Sequence, residues 1–422
     1  MRLPLAVVWG LLLPALAGAG GPGTTGGVGL KLPAGARPTG TGGAFVGLAD
    51  DLNALFWNPA GLAAVTRPEA SVMHVQYLAD TSYEVLAYAH PLGPLGGTAG
   101  AVNLLNYGSL PRTLEDVNGL YDGLSGSVSP QDIFVTGGWG RALPPLFGLN
   151  RVSAGASVKL TFQHLSGGTF AGLGVSGGAL WDAPVPGLRV GTVVDNLGGV
   201  AGIGKAMPMG WVVGGSYAAP LGRDFRGIAL LDTRLSVDTT MQANLGAEVE
   251  AFDMLLVRAG WRGGGALGGL TLGLGVKYPV TWMEKSLLIL FDYGIASAGE
   301  LGSSQRFQLT TRIGGAKKAV YLGMLKAGRE SGDLVLTWEG SGPAWDVYMR
   351  RPDEIGYTKI TDRPLTAAKY PLIGLTTGRY GFKVAAVDAY LPDWKGPVSP
   401  EIEVDIQGDT TPAAPAPEVP GA

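Results

Sequence analysis

Gly269-Leu-Thr-Leu-Gly-Leu-Gly-Val-Lys277 alternates without a break. Leu270, Leu272, Leu274 and Val276 face one way and Thr271, Gly273, Gly275 and Lys277 the other, because a strand sends successive side chains to opposite faces. Three more stretches repeat the pattern. In 156–163, Val158, Leu160 and Phe162 oppose Ser157, Lys159, Thr161 and Gln163. In 244–251, Leu245, Ala247 and Val249 oppose Asn244, Gly246, Glu248 and Glu250. In 306–313, Phe307, Leu309 and Ile313 separate from Arg306, Gln308, Thr310 and Arg312. A soluble β-sandwich alternates too, so length decides. These segments run about 9 to 12 residues, nearer the 9–11 of membrane strands than the 5–6 of globular ones. Their polar faces are rich in glycine, as a narrow lumen requires.

Composition points the same way. Glycine supplies 70 of 422 residues and charged side chains 15%, against roughly 7% and 25% in ordinary proteins. Residues 1–17 read as a secretory signal peptide: Arg2 is a short basic region, 3–16 is apolar, and Ala15-Leu16-Ala17 offers a small-x-small cleavage site. Beyond it no apolar run approaches the ~20 residues of a spanning helix. A chain with little charge, much glycine and no such helix can cross a bilayer as a closed barrel, whose strands satisfy one another's backbone groups. Removing the signal deletes one cation, Arg2, and takes the formal charge from −3 to −4. That near-neutral balance excludes a nucleic-acid partner, which leaves a basic footprint. With no cysteine there is no disulfide scaffold, no thiol chemistry and no lipid anchor on an N-terminal cysteine.

Strands are expected near 70–78, 82–92, 97–107, 131–143, 151–163, 172–183, 187–196, 208–218, 226–236, 240–250, 254–262, 268–278, 284–294 and 304–314, an antiparallel transmembrane barrel over 67–315. The long connections, 108–130, 197–207 and 295–303, follow odd strands, whereas 93–96 and 183–187 are tight. Outer-membrane barrels have short periplasmic turns and longer external loops, so an even count puts both barrel ends in the periplasm. A three-residue loop at 252–254 pairs Glu248 with Arg258 on the polar face, where a charge-assisted contact reads first as a structural ion pair of the wall. The same parity turns Lys159, Asp232, Arg234, Lys277, Asp292 and Arg312 into the lumen. A lumen of mixed sign does not define an ion-selective channel.

A linker and plug occupy 18–66. Within them the chain reads Gly40-Thr-Gly-Gly-Ala-Phe-Val-Gly-Leu-Ala-Asp-Asp-Leu-Asn-Ala-Leu-Phe-Trp-Asn-Pro-Ala-Gly-Leu62. Val46, Leu48, Leu52, Leu55 and Phe56 have helical spacing, which predicts a helix over 46–57 with Asp50 and Asp51 on its exposed side, stopped by Asn58-Pro59. This stretch resembles the N-terminal signature of PorV/PorQ-type outer-membrane proteins, relatives of the FadL-type channels for hydrophobic compounds. Asn106-Tyr-Gly108, Asp195-Asn-Leu-Gly198, Gly246-Ala-Glu248, Arg258-Ala-Gly260, Asp292-Tyr293 and Gly299-Glu-Leu-Gly302 are similar as well, so the resemblance spans roughly residues 30–315. It implies that Asn58, Pro59 and Ala60 belong to a hatch that plugs the barrel. One departure from the family pattern is that the last barrel strand, ending near Ile313, is internal.

After Gly315 the texture changes to shorter, more charged strands at 334–338, 345–350 and 380–387. Their spacing suits a β-sandwich of about 90 residues. Residues 316–407 resemble a fibronectin type III domain, with Trp338 as the core tryptophan, 375–380 as the leucine-to-tyrosine corner and 396–401 as the approach to the final strand. Residues 408–422, rich in proline and alanine, read as a disordered tail.

No enzyme emerges, and no cofactor is expected. Gly-x-Gly-x-x-Gly occurs at 21–26, 172–177 and 263–268, but none opens a helix after a strand, as phosphate binding requires. The nucleophile-elbow letters at 174–178 lie within a strand with no helix to follow. His74, His90 and His164 lack metal-ligand spacing. The resemblance leaves two function classes. The PorV/PorQ branch implies a secretion-associated or scaffolding role in the outer membrane, with secretion machinery or cargo proteins as partners and the sandwich as a periplasmic docking module. The alternative is a FadL-like channel for small hydrophobic compounds. In both, outer-membrane lipid is the surrounding partner.

Overall fold

The computed structural model describes residues 21–407 apart from 22, 146–148, 166–167, 223, 265–267, 283–284, 315–321, 331–332, 341–343, 355, 363–364, 366, 388–394 and 400. The signal and the C-terminal tail lie outside the described residues. Fourteen strands close into one antiparallel barrel: β1 (Glu69–Gln76), β2 (Ser82–Pro91), β3 (Gly97–Asn106), β4 (Gln131–Ala142), β5 (Val152–Leu165), β6 (Gly168–Asp182), β7 (Leu188–Val200), β8 (Gly210–Pro220), β9 (Phe225–Ser236), β10 (Thr239–Ala251), β11 (Leu255–Gly263), β12 (Gly269–Trp282), β13 (Lys285–Ser297) and β14 (Ser303–Ile313). Each pairs with its neighbours in chain order. The ring closes where β14 meets β1, with Leu309 opposite Val72.

Burial is inverted relative to a soluble protein. Along β5, Val158 is 49% exposed while Lys159 is 6% exposed, and Leu160 and Phe162 face out while Ser157 and Thr161 are buried. On β12 the leucines of the alternating stretch are exposed and Thr271 is buried. A sandwich would do the opposite. An apolar exterior that wraps a closed sheet is a surface for lipid. The expected three-residue loop at 252–254 forms, with Phe252 and Asp253 both at φ 55, and sets Glu248 opposite Arg258.

Several strands outrun their sequence reading, two of them around one irregularity. β6 starts at Gly168 rather than 172, and β7 continues to Val200 rather than 196, shortening the loop expected at 197–207. The cause is a break in alternation. The β6–β7 register shifts between Val175 and Gly177, Asn196 takes φ 56, and consecutive residues Asp195 and Asn196 are both buried. A bulge does this by adding one residue to one strand. The long connection between β3 and β4 carries a hairpin of its own, Leu110–Glu115 paired with Tyr121–Val128. Asp116 closes its turn by accepting from the Leu120 and Asn118 amides at 2.9 and 2.8 Å, bonds that hold its carboxyl below the ordinary range.

The plug departs from the expected helix over 46–57. Only Ala36–Gly40 and Ala54–Trp57 are α-helical, a 3-10 turn covers Pro59–Ala64, and Ala49 has φ 30. The backbone between them makes isolated turns, such as the Leu48 and Ala49 amides on the Phe45 carbonyl, and otherwise bonds to wall side chains. Asp50 and Asp51 are not on an exposed face either: Asp51 is buried, and both bind Arg37.

The chain divides into two compact units between Ile313 and Gly314, with Thr281–Ser286 grouped with the second. The second unit has two sheets. One orders Leu322–Glu330, Asp333–Gly340 and Lys369–Pro371; the other orders Thr358–Lys359, Ala344–Arg350, Gly378–Val387 and Lys395–Val398, with Ile402–Ile406 also on Gly378–Val387. Their shared core holds Trp338 edge-on to Trp345 at 6.0 Å, with Leu336, Val347, Tyr380 and Phe382.

Candidate functional site: the plugged lumen

The N-terminal segment runs through the barrel. At the end that carries the long β3–β4 connection, the Gly26 amide donates to the Ala206 carbonyl at 2.8 Å, and the Gly27 amide donates to Gln163 Oε1 at 3.1 Å. At the opposite end the chain leaves through Val65 and enters β1. In between, wall side chains satisfy plug backbone groups that a helix would have satisfied internally. Asp232 Oδ2 accepts from the Phe45 and Val46 amides at 2.7 and 2.8 Å. Gln308 Oε1 accepts from the Ala36 amide at 2.8 Å, and Ser216 Oγ donates to the Gly47 carbonyl at 3.0 Å.

Glycines on the inner face let plug backbone lie directly on the wall. A Cβ on Gly155 would sit 2.3 Å from the Pro59 carbonyl oxygen, and one on Gly178 would sit 2.1 Å from Asn58 Oδ1. Asn58 is fully buried there. Its Nδ2 donates to the Val46 and Ala179 carbonyls at 3.0 and 3.2 Å, and its Oδ1 accepts from the Ala60 amide at 3.2 Å. One side chain therefore ties the plug to itself and to β6. Pro59 and Ala60 are buried beside it.

Charge makes the second attachment. Arg37 Nη1 donates to Asp50 Oδ1 at 2.6 Å and to Asp51 Oδ2 at 2.8 Å; its Nε and Nη2 donate to the Glu248 carboxylate, both at 2.8 Å. Glu248 also accepts from Arg258 Nε at 2.6 Å, and Arg258 Nη1 reaches Asp292 Oδ1 at 2.6 Å. Two arginines and four carboxylates thus form one buried chain from plug to wall. Around it, a charged cavity of about 160 Å³ also takes in the Glu69–Arg312 pair (3.0 Å) and the Glu250–Lys277 pair.

On the long-loop side of the plug lies a second cavity of about 340 Å³. Leu30, Leu32, Phe56, Trp57, Tyr77 and Phe134 give it an apolar and aromatic surface. Polar groups share it. Arg234 donates to Asp195 Oδ2 at 2.7 Å, Lys31 pairs with Asp238, and Lys159 donates to Asn196 Oδ1 at 2.7 Å. Asp238 also accepts from Thr25, so the outermost described part of the N-terminal segment is fastened over this chamber.

The eight charged residues read from strand parity divide between the two cavities. Glu248, Arg258, Lys277, Asp292 and Arg312 line the smaller, Lys159 and Arg234 the larger, and Asp232 sits between them under the plug backbone. Sequence reading missed Arg37, Asp195, Asp238 and Arg262. Arg262 shares the parity of Arg258 and was open to the same argument. Arg37 lies where no strand periodicity reaches. His74, outward on β1, bonds Glu84 at 2.6 Å on the exposed face. Among the described residues no group of acidic or histidine side chains could hold a metal.

Fold and lumen together define a plugged, 14-stranded antiparallel barrel with an apolar exterior. A family model described as an uncharacterised protein family, UPF0164, matches residues 21–179. No curated protein matches the chain. Among solved structures it is similar to the Ralstonia pickettii toluene transporter TbuX, at 13% identity over 66% of this chain and 97% of that one, with a TM-score of 0.44. It is similar to the CymD monoaromatic hydrocarbon channel at 15% identity over 66% and 96%, with a TM-score of 0.42. A Pseudomonas aeruginosa FadL homologue matches at 12% identity over 66% and 98%, with a TM-score of 0.39.

Proposed function

We propose that this chain is an outer-membrane barrel that admits small hydrophobic or amphipathic compounds into its lumen. The supporting observation is the chamber of about 340 Å³ between plug and long-loop end, lined in part by Phe56, Trp57, Tyr77 and Phe134. Its volume falls at the small end of the ~300–1,000 Å³ of small-molecule pockets, whose walls are mainly apolar with a few placed polar groups. Plug backbone packed on wall glycines closes the other side, which makes the lumen a selective compartment rather than a water-filled pore. Cells carrying the protein should take up dilute toluene across their outer membrane several-fold faster than cells lacking it. Thr136→Trp, which fills the chamber from β4, should abolish the gain. Equal uptake by the filled variant would remove the lumen from the path.

The second reading is a secretion-associated role of PorV/PorQ type, with the C-terminal unit as a periplasmic docking module. Its specific support is the strand pairing of that unit, a three-stranded and a five-stranded antiparallel sheet around one core, which is in keeping with a fibronectin type III-like sandwich. Orientation is separately testable. A protease site placed in 117–126 should be cut on intact cells and one in 408–415 protected; the reverse would put the second unit outside.

A further inference from the structure

Three cations in and beside the larger cavity have no carboxylate within ion-pair distance among the described residues. Arg306 is 1% exposed, and its bonds run only to neutral acceptors: Nη1 donates to Ser304 Oγ at 2.8 Å and Nε to the Pro33 carbonyl at 3.4 Å. Arg262, on the cavity lining, donates through Nη2 to the Ser297 carbonyl at 3.1 Å, and its buried Nε has no partner. The two guanidinium groups converge on one spot of the wall, since Ser297 and Ser304, their respective partners, lie one register step apart on the paired strands β13 and β14, and Tyr77 lines the same cavity. Lys159, also lining the cavity, is held by Asn196, with Asp195 as its nearest acidic neighbour. The two acids of the chamber, Asp195 and Asp238, are already engaged by Arg234 and by Lys31. Elsewhere in the lumen buried cations are ion-paired, and the two buried acids that are not, Asp132 and Asp232, are each satisfied by neutral donors. Here positive charge is in excess.

Resting on the reading of the lumen as a compartment for small compounds, we propose that Arg262 and Arg306 seat the head of a small organic carboxylate. Its aromatic or short aliphatic body would lie against Trp57, Phe134 and Tyr77. A carboxylate presents two oxygens to the fork of a guanidinium and supplies the missing negative charge. The body is limited by the chamber, which is too small for a ligand much larger than a substituted aromatic ring.

The test uses the full-length protein in detergent and two probes of one shape, 4-phenylbutyrate and 4-phenylbutanol, measured by calorimetry. The carboxylate should bind at least about tenfold more tightly than the alcohol, the margin one charge-assisted hydrogen bond provides. Arg262→Gln with Arg306→Gln should remove that preference while leaving alcohol binding within about twofold. Arg306→Lys, which keeps the charge, should restore part of it if the double variant folds poorly. Equal affinity of the wild type for both probes, or a preference that survives the double substitution, would overturn the anion seat and leave the compartment reading intact. Binding of neither probe would overturn both.

Discussion

Arg37→Ala is expected to destabilise the barrel by about 3–5 kcal/mol, the range for breaking a buried ion network from one side. The reason is arithmetic of charge. Arg37 is the plug's contribution to a chain of two arginines and four carboxylates, and without it Asp50 and Asp51 lose the guanidinium both bind, while Glu248 keeps only Arg258. The plug then has its backbone bonds to the wall but no ionic attachment. Planar-bilayer recordings should show frequent conducting events where the wild type is silent, and thermal unfolding should shift down. Arg37→Lys should fall between the two, because an ammonium cannot reproduce the bidentate contact with Glu248. An unchanged melting curve together with a silent bilayer would show that the network does not hold the plug.

Gly155→Val should be still more damaging to assembly. The added Cβ would meet the Pro59 carbonyl oxygen at 2.3 Å and the Ala60 amide nitrogen at 2.5 Å, both backbone atoms that cannot swing aside. Overpacking of this kind costs about 1–3 kcal/mol when neighbours give and more when they cannot. The expected result is a sharp fall in the folded, heat-modifiable band on unboiled gels, with the remaining barrel open to proteolysis in the plug. Gly137→Ala is the control, since nothing lies within 4 Å of a Cβ there. Equal yields from the two variants would mean that the plug does not seat against β5 as described.

The wall was legible in the sequence because lipid outside and a polar lumen inside impose strict alternation, and alternation needs no partner to be seen. It failed where the chain breaks it. At Asp195-Asn196 two successive side chains turn inward, and the expected strand stopped at that point although its pairing continues to Val200. The plug was legible in place but not in form. Val46, Leu48, Leu52 and Leu55 do all face apolar surroundings, yet only Leu55 lies in a helix, and the backbone around Val46 is fixed by Asp232, Ser216 and Asn58 rather than by a continuous helical ladder. A helical period in sequence records which side chains are buried, and says nothing about where the amides go. Glu248–Arg258 followed from one turn length, whereas Arg37, the third member of that cluster, is brought to it only by the path of the plug.

That path constrains how the molecule can be made. A segment anchored at Ala206 near one mouth and leaving through the other cannot be drawn into a finished cylinder, because its glycine contacts leave no clearance for sliding. The segment from Gly26 to Val65 must already lie in the concave face of an incomplete sheet when β14 reaches β1. The seam between the first and last strands is then a clasp fastened around its own contents, and the N-terminal segment serves as the former on which the wall is wound.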